Sequence, residues 1–274
     1  MNFAMGAEEA AFGESVRGAL SGCRPDSWRP GAALDDRDPA LADRLYAVGL
    51  AEAAEAGPGF VSAAGLELGR ALAPLSFFDE LVAGEHALAA SRLARYAQGR
   101  SAALDLREEG AFVVPLGGGL QPEPALDGQG FVRLTDQGTE VPFPELAVWA
   151  AFHVAYLGGL AGAALSLAVE HARSRHQFGR PLLALPPVQQ ALADAASLTR
   201  GVELLAWEEH EDAWPALAYA GGAACRVCEV AHQVHGAIGF SLEARVHSFF
   251  RRAHAVRLFA SAVSRAARLV GTAR

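Results

Sequence analysis

The sequence predicts a mainly α-helical protein with an N-terminal helical domain, a much-reduced β middle segment and a C-terminal antiparallel four-helix bundle. Long, alanine-rich apolar runs occupy both ends of the 274-residue chain, and short β-like runs separated by glycines lie between them. The connections between the long helices predicted after residue 144 are short, so consecutive helices there should be antiparallel neighbours. We therefore divide the chain into residues 1–97, 98–144 and 145–274.

The first domain is predicted to contain helices near residues 6–21, 39–56, 61–73 and 80–97. Pro58 and Pro74 punctuate these helices, and Gly57 and Gly59 permit turn conformations.

In the middle segment the helical pattern gives way to short β-like runs separated by glycines. Its β-like runs are Ala111–Leu116 and Phe131–Leu134, and Gly117-Gly118-Gly119 follows the first of them. Because no lysine follows this triplet and no strand-to-helix context surrounds it, we interpret it as a turn and not as a phosphate-binding loop. The segment predicts a small β element or a structured loop that is too short for a full barrel.

Four long helices are predicted in the last domain. The first covers about residues 145–177, and Pro186-Pro187 opens the second, because proline is tolerated in a first helical turn. Pro215 opens the third, which ends near Gly236, and the fourth covers about 242–270.

The run from Leu146 to Val169 is long and apolar enough to span a bilayer, since its only ionisable side chains are His153 and Tyr156. It contains Gly158-x-x-x-Gly162, a small-residue spacing that lets helices approach closely. Alanine and glycine dominate it, however, and no basic cluster precedes it. A central helix buried in a bundle is the favoured interpretation, and a membrane-associated helical protein is the alternative.

Composition excludes several classes of function. The net charge of -8 disfavours a nucleic-acid surface. Three cysteines, an odd number, together with the absence of a signal-peptide pattern, predict a cytoplasmic protein. Cys225 and Cys228 form a CxxC inside an apolar run with no second ligand pair, which predicts buried structural thiols and no metal site. A cluster of acidic residues before Trp214 is interpreted as a solvated face: Glu208, Glu209, Glu211 and Asp212.

Two segments carry the candidate chemistry: Arg175-His-Gln-Phe-Gly-Arg-Pro-Leu182 and Gln233-Val-His-Gly-Ala-Ile-Gly-Phe240. The guanidinium of Arg175 suits a diphosphate, and the amide of Gln233 adds hydrogen bonds without charge. Gly236 permits close backbone approach, and Phe178 offers a ring face. Taken singly, the arginine could instead face a helix C-terminus, the phenylalanine could plug a core and the glycine could be a helix cap.

Together with Val188–Asp194 and Phe250–Ala253, these segments resemble two signatures of the C-terminal domain of acyl-CoA dehydrogenases, flavoenzymes that desaturate acyl thioesters. The resemblance covers the C-terminal half well, the N-terminal quarter loosely through Leu68–Pro74, and the middle hardly at all. It implies N-terminal helices, a central β-domain, a C-terminal bundle and a tetramer. It also implies that FAD is gripped across a subunit boundary by residues Arg175, Gln177, Phe178, Gln189, Gln233, Gly236 and Ala237.

The chain departs from the family pattern in ways that bear on catalysis. The family's Thr-Glu and Gly-Ser-Asp segments do not appear between residues 98 and 144, and Pro186 stands where a cofactor-contacting glutamine is expected. The usual catalytic glutamate falls on Ala260, which cannot accept a proton. The family's alternative base position falls close to Trp149, where Glu145 is a nearby candidate, although a glutamate there is also what a helix dipole favours in a first turn.

A chain that lacks these segments and the catalytic base resembles one subunit of the heteromeric acyl-CoA dehydrogenases that take part in bacterial steroid side-chain breakdown. In those enzymes only one of the two unlike subunits supplies the base. The resemblance implies a subunit of an FAD-dependent enzyme that dehydrogenates a bulky or steroid-type acyl-CoA, in a heterotetramer with an acyl-CoA dehydrogenase-like partner. The isolated chain should then be nearly inactive. Two alternatives stay open: a helical scaffold or assembly protein without flavin, and a complete homomeric dehydrogenase that uses Glu145.

Overall fold

The computed structural model describes residues 6–23, 39–117, 121–208 and 212–272, and within these ranges helices precede and follow one mixed β-sheet. The helices before the sheet are α1 (Ala7–Ala19), α2 (Pro39–Ala47), α3 (Ala53–Ala56), α4 (Pro58–Ala71) and α5 (Ser76–Ala83). The sheet strands are β1 (Ala87–Ala90), β2 (Leu93–Arg95), β3 (Ala102–Arg107), β4 (Gly110–Pro115), β5 (Glu123–Pro124), β6 (Gly130–Arg133) and β7 (Thr139–Val141). The bundle helices are α6 (Ala147–Ser174), α7 (Pro186–Ala206), α8 (Trp214–His235) and α9 (Val246–Thr272), and a short ribbon, β8 (His176–Gln177) and β9 (Arg180–Pro181), follows α6.

The predicted helix over 80–97 is wrong. Helix α5 ends at Ala83, Gly84 takes a positive φ of 57°, and β1 and β2 occupy the remainder. Ala87–Ala90 is buried at every position, because β1 lies inside the sheet between β2 and β3, so tertiary pairing overrides the helical propensity of alanine. The hairpin between β1 and β2 turns through Ser91 and Arg92, both at positive φ, and lacks the Asn-Gly or Asp-Gly signal that would have revealed it.

The predicted helix over 39–56 is also wrong as one element. It breaks into α2 and α3, because the chain turns at residues 48–52 and Gly49 takes a φ of 90° there. Positive φ is readily available only to glycine, so the turn is fixed at that position.

The sheet is larger than the small β element that was predicted. Its strand order is β5-β6-β2-β1-β3-β4-β7, with β1 and β3 parallel and the other neighbours antiparallel. The predicted runs Ala111–Leu116 and Phe131–Leu134 are confirmed as β4 and β6. Strands β1 and β2 add residues from before position 98, so the sheet begins ahead of the predicted division. Gly118 and Gly119 of the predicted glycine turn lie outside the described residues.

The four-helix bundle is confirmed, with helices α6 to α9 close to their predicted bounds. Helices α6 and α8 run parallel: the ring centroids of His171 and His235 lie 4.4 Å apart at their C-terminal ends, and Leu157 and Leu217 line one cavity nearer their N-terminal ends. The last turns of α6 and α8, which lead into the two signature segments, therefore lie at the same end of the bundle.

Helix α6 is the central helix of the structure, as predicted. Its most apolar window is hydrophobic enough for a membrane span, but 67% of that window is buried within the chain, which is typical of a core helix. Helix α4 crosses it closely: a Cβ on Gly159 would lie 1.9 Å from the carbonyl oxygen of Leu66, and one on Gly69 would lie 2.0 Å from that of Tyr156. The predicted Gly158 and Gly162 pair lies against α7, where Cβ atoms would meet Val202 at 3.3 Å and Thr199 at 3.8 Å, whereas the tighter crossing with α4 uses Gly159.

Buried cysteines were predicted correctly. Cys225 and Cys228 are free thiols on the buried face of α8. The described residues contain no group of three metal-ligating side chains. Glu209 and Glu211 of the acidic cluster lie outside the described part of the chain.

Candidate functional site: the shared end of helices α6 and α8

The first signature segment folds into a tight hairpin directly after α6. His176 pairs with Pro181 and Gln177 with Arg180, while Phe178 and Gly179 form the tip at φ values of 53° and 75°. The carbonyl of Arg175 accepts a hydrogen bond from the Leu182 N–H at 2.8 Å, which closes the base of the hairpin. A left-handed phenylalanine is uncommon and strained. The hairpin nevertheless keeps Phe178 at its tip in solvent, with 87% of the residue exposed.

The second segment forms where α8 ends. Gly236 adopts φ 63° and ψ -141°, a conformation that side chains disfavour, and a short 3₁₀ turn follows over Gly236–Phe240. No atom lies within 4 Å of a Cβ built on Gly236, so the backbone demands glycine while its outer face stays open. Phe240 is 82% exposed at the end of this turn.

A stacked pair of histidines joins the two segments. The rings of His171 on α6 and His235 on α8 lie 4.4 Å apart at an interplanar angle of 21°. Burial first, then His235 and the guanidinium of Arg175, lower the pKa of His171 below its usual value. Because Arg175 directly follows α6, it lies at the bundle end where His171 meets His235 of α8.

Every predicted cofactor residue lies on the surface. The predicted cofactor residues, all of them exposed, are Arg175, Gln177, Phe178, Gln189, Gln233, Gly236 and Ala237. Within the described ranges Arg175 makes no ion pair, so its charge is not neutralised inside the chain. Gln189 follows in the first turn of α7, which the hairpin reaches through a 3₁₀ turn at Leu182–Ala184. An exposed set of this kind needs a second surface to enclose a ligand.

The donor set fits the diphosphate of FAD. An arginine, side-chain amides and an open glycine backbone supply charge, neutral donors and room for close approach. The cofactor roles of these residues remain predictions, which the geometry permits.

The expected base position holds no proton acceptor. Ala260 lies in the middle of α9 and is 4% exposed. Beside it, the ring of Phe259 stacks under the guanidinium of Arg95, whose Cζ lies 3.9 Å from the ring centroid.

The Arg95 guanidinium belongs to a buried polar network that the sequence reasoning missed. Asp79 of α5 accepts hydrogen bonds from Arg95 of β2 at 2.5 and 2.6 Å and from the indole N–H of Trp149 at 3.0 Å. His153 Nδ1 donates to the Trp149 carbonyl at 2.7 Å, which leaves Nε2 to accept from Arg95 at 3.3 Å. The sequence did contain one signal of this network. Asp79 and Arg95 are charged residues within apolar runs, and such residues are buried only when they are paired.

This network is closed to solvent. Both side chains of the Asp79–Arg95 pair are less than 5% exposed. Burial, followed by the charge of Arg95, lowers the pKa of His153 well below its usual value and keeps the ring neutral. Trp149, which stands near the family's alternative base position, is 1% exposed. The network therefore joins α5, the sheet and α6, and it presents no group to a substrate.

Glu145 lies at the other end of α6. It is exposed and lines a cavity of about 290 Å³ together with Phe143 and Trp214. Since α6 has 28 residues, Glu145 lies about 42 Å from the Arg175 hairpin at 1.5 Å per residue. The two cannot meet at one site within a single chain.

Comparison with known proteins agrees with this architecture. Residues 136–260 match the model of the acyl-CoA dehydrogenase C-terminal domain. The mitochondrial short-chain specific acyl-CoA dehydrogenase of Rattus norvegicus is 32% identical over 112 residues, which are 37% of this chain and 27% of that protein.

Two solved structures share the fold over nearly their whole length. The ChsE4–ChsE5 complex of Mycobacterium tuberculosis has a TM-score of 0.72 at 20% identity, covering 99% of this chain and 98% of that one. A structure described as a Tcur3481–Tcur3483 steroid ACAD variant has a TM-score of 0.74 at 19% identity, covering 98% and 99%.

The matched segments span only 27–33% of the curated relatives. The family model covers the part of the bundle that carries both signature segments, while the structural likeness extends to the helices and sheet before it. The chain is therefore similar to acyl-CoA dehydrogenases in its C-terminal domain and in its fold.

Proposed function

We propose that this chain is the base-lacking subunit of a heteromeric, FAD-dependent acyl-CoA dehydrogenase, and that it lends FAD-binding residues to a partner subunit. The observation that carries the proposal is the shared end of α6 and α8, where Arg175 and the turn after Gln233 are both exposed. The same chain has alanine at the expected base position and a sealed tryptophan near the alternative one.

Five of the seven exposed residues then have a defined task. Arg175 neutralises the diphosphate, Gln233 and Gln177 donate neutral hydrogen bonds, and the open backbone at Gly236 permits close approach. Phe178 supplies a ring face to the cofactor or to the partner. FAD, when bound, accepts the hydride of the dehydrogenation, while the partner supplies the carboxylate that removes the proton.

The substrate class proposed is a bulky or steroid-type acyl-CoA. Two similar folds support it, one from a structure described as a steroid ACAD and one from a two-component complex. We propose a heterotetramer with an acyl-CoA dehydrogenase-like partner, and the two-component complex among the similar folds supports the existence of such a partner.

The test is co-expression with a full-length acyl-CoA dehydrogenase-like protein encoded beside this chain. The purified complex should carry flavin, measured by absorbance near 450 nm after denaturation, and should reduce it with a steroid-type acyl-CoA. Arg175→Ala should weaken the binding of added FAD by about tenfold or more and so lower the flavin content, since a charge-assisted contact to phosphate is worth roughly 1.5–3 kcal/mol.

Arg173→Ala is the matched control, because Arg173 is also exposed in the last turn of α6 and belongs to no predicted contact. A complex without flavin, or equal flavin loss in both variants, would refute the assignment. A stable complex without flavin would instead support the scaffold interpretation.

A complete homomeric enzyme with Glu145 as base predicts activity of the lone chain. Turnover of an acyl-CoA without a partner, abolished by Glu145→Gln, would establish that alternative in place of the heteromer.

A further inference from the structure

The stacked pair of His171 and His235 joins the two signature segments through their side chains. Both residues are half-buried, and their ring centroids lie 4.4 Å apart at the C-terminal ends of α6 and α8. The carbonyl of His171 accepts a hydrogen bond from the Arg175 N–H at 2.9 Å, and His235 follows Gln233 by two positions. The pair therefore helps to set the distance between the backbone stretches that carry Arg175 and Gln233.

Further contacts tie each ring to its own segment. The hydroxyl of Ser174 donates to the His171 carbonyl at 3.2 Å, so the end of α6 is anchored at that residue. On α8, Nδ1 of His235 donates to the Ala231 carbonyl at 2.7 Å. A Cβ on Gly239 would lie 3.1 Å from the Cβ of His235, so the 3₁₀ turn packs directly against this residue. A movement of either ring is thus transmitted to the hairpin or to the turn.

Several ionisable groups surround the pair. Those on the neighbouring elements are Glu170, Arg173, Arg175 and His176 at the end of α6, Arg180 on β9, Asp194 on α7, Glu229 and His232 on α8, Glu243 and Arg245 after the 3₁₀ turn, and His247, Arg251, Arg252 and His254 on α9. Glu229 is paired with Arg226 at 3.1 Å. Burial first, and then the charges of His235 and Arg175, disfavour a proton on His171 and so lower its pKa.

Stacking and protonation of His171 therefore oppose each other. A ring that separates into water regains the usual pKa of about 6.5. Below that pH the separated state takes up a proton that the stacked state resists, so acidification favours separation. At pH 5.5 one histidine shifts the equilibrium toward the separated state by at most about tenfold.

We propose that His171 and His235 are positioning residues of the cofactor site: the neutral stacked pair holds Arg175 and Gln233 in register, and acidification releases them. The inference rests on the proposed function for its cofactor, but the behaviour of the pair can be measured without one.

Direct attraction between charges predicts the opposite result. Protonated imidazoles beside Arg175 would add positive charge toward a diphosphate, so flavin would bind more tightly at pH 5.5 than at pH 7.5. The sign of the pH dependence therefore distinguishes a positioning role from a purely electrostatic one.

The first test uses the full chain without cofactor. Hydrogen exchange of the Arg175 and Leu182 amides, whose hydrogen bonds close the end of α6 and the hairpin, is compared between the unaltered chain and H171F/H235F at the same pH. Phenylalanine keeps an aromatic pair that cannot be protonated. Exchange should be equal at pH 7.5 and about three- to tenfold faster in the unaltered chain at pH 5.5. Equal exchange at both pH values would overturn the proposal.

The second test uses the complex with the acyl-CoA dehydrogenase-like partner. The dissociation constant of FAD, measured by fluorescence quenching, should rise about three- to tenfold from pH 7.5 to 5.5 with the unaltered chain and less than about twofold with H171F/H235F. The matched control is H86F, which replaces a half-buried histidine between α5 and β1 and should keep the full pH dependence.

Flavin that binds equally or more tightly at pH 5.5, or weakening that persists in H171F/H235F, overturns the proposal. A complex that never carries flavin refutes the proposed function, and the exchange of the lone chain then decides the role of the pair. If circular dichroism shows that H171F/H235F is unfolded, NMR titration of the unaltered chain decides: the Arg175 amide signal should shift with the same midpoint as the His171 ring, and an Arg175 signal that ignores this titration overturns the proposal.

Discussion

Replacing Gly159 by alanine should destabilise the chain more than an added methyl group usually does. Its Cβ would lie 1.9 Å from the Leu66 carbonyl oxygen, whereas ordinary contacts begin at 3.4 Å. Helices α4 and α6 would have to separate by about 1.5 Å, the difference between these distances. Overpacking costs about 1–3 kcal/mol and occasionally more, and the separated faces lose further dispersion contacts.

The gain in helix propensity from glycine to alanine, about 1 kcal/mol, offsets part of this cost. We expect a net loss of roughly 2–4 kcal/mol in the free energy of unfolding, measured by urea denaturation. Gly222→Ala is the matched control, because no atom lies within 4 Å of a Cβ there. It should stabilise the chain by about 0.5–1 kcal/mol.

Gly162→Ala adds a second control, since its Cβ would meet its nearest neighbours at an ordinary 3.8 Å. If Gly159→Ala costs less than about 1 kcal/mol, or no more than Gly162→Ala, the close crossing of α4 and α6 is refuted.

Three further predictions concern buried groups. Arg95→Met should cost about 3–5 kcal/mol by leaving Asp79 buried without its partner, and the double variant with Asp79→Leu should regain most of that loss in urea denaturation. The pKa of His153 is lowered in the folded chain, so below about pH 6.5 the unfolded chain binds a proton that the folded chain does not. The free energy of unfolding should therefore fall between pH 7.5 and 5.5, and a flat profile would contradict the neutral ring. Burial raises the pKa of both α8 thiols, so an aromatic disulfide reagent at pH 8 should label no more than one of three cysteines before unfolding; fast labelling of three would contradict their burial.

The bundle was the part of the fold that the sequence predicted best. Prolines 186 and 215 mark the starts of α7 and α8, and long apolar runs reveal helices whatever their neighbours are. The sheet was harder to predict, because Ala87–Ala90 is a strand made of helix-favouring residues. Only pairing with β2 and β3 fixes it as a strand, and such pairing is invisible in a local pattern.

In the candidate site, too, local structures were predictable from the sequence and contacts between distant elements were not. The hairpin after α6 and the glycine turn after α8 are local structures, so Arg175 and Gln233 were identified from short motifs. Their approach depends on α6 and α8 being parallel, which the order of helices in a bundle also predicts. The Asp79–Arg95–His153 network joins three elements far apart in the chain, and no spacing of residues indicates which buried charges meet.

A cryo-electron microscopy structure of this chain with its partner and FAD tests the central claim most directly. We predict that the guanidinium of this chain's Arg175 and the amide of its Gln233 lie within hydrogen-bond distance of one cofactor diphosphate at the boundary between the two subunits. A flavin held entirely by partner chains, with Arg175 and Gln233 facing solvent, would contradict it.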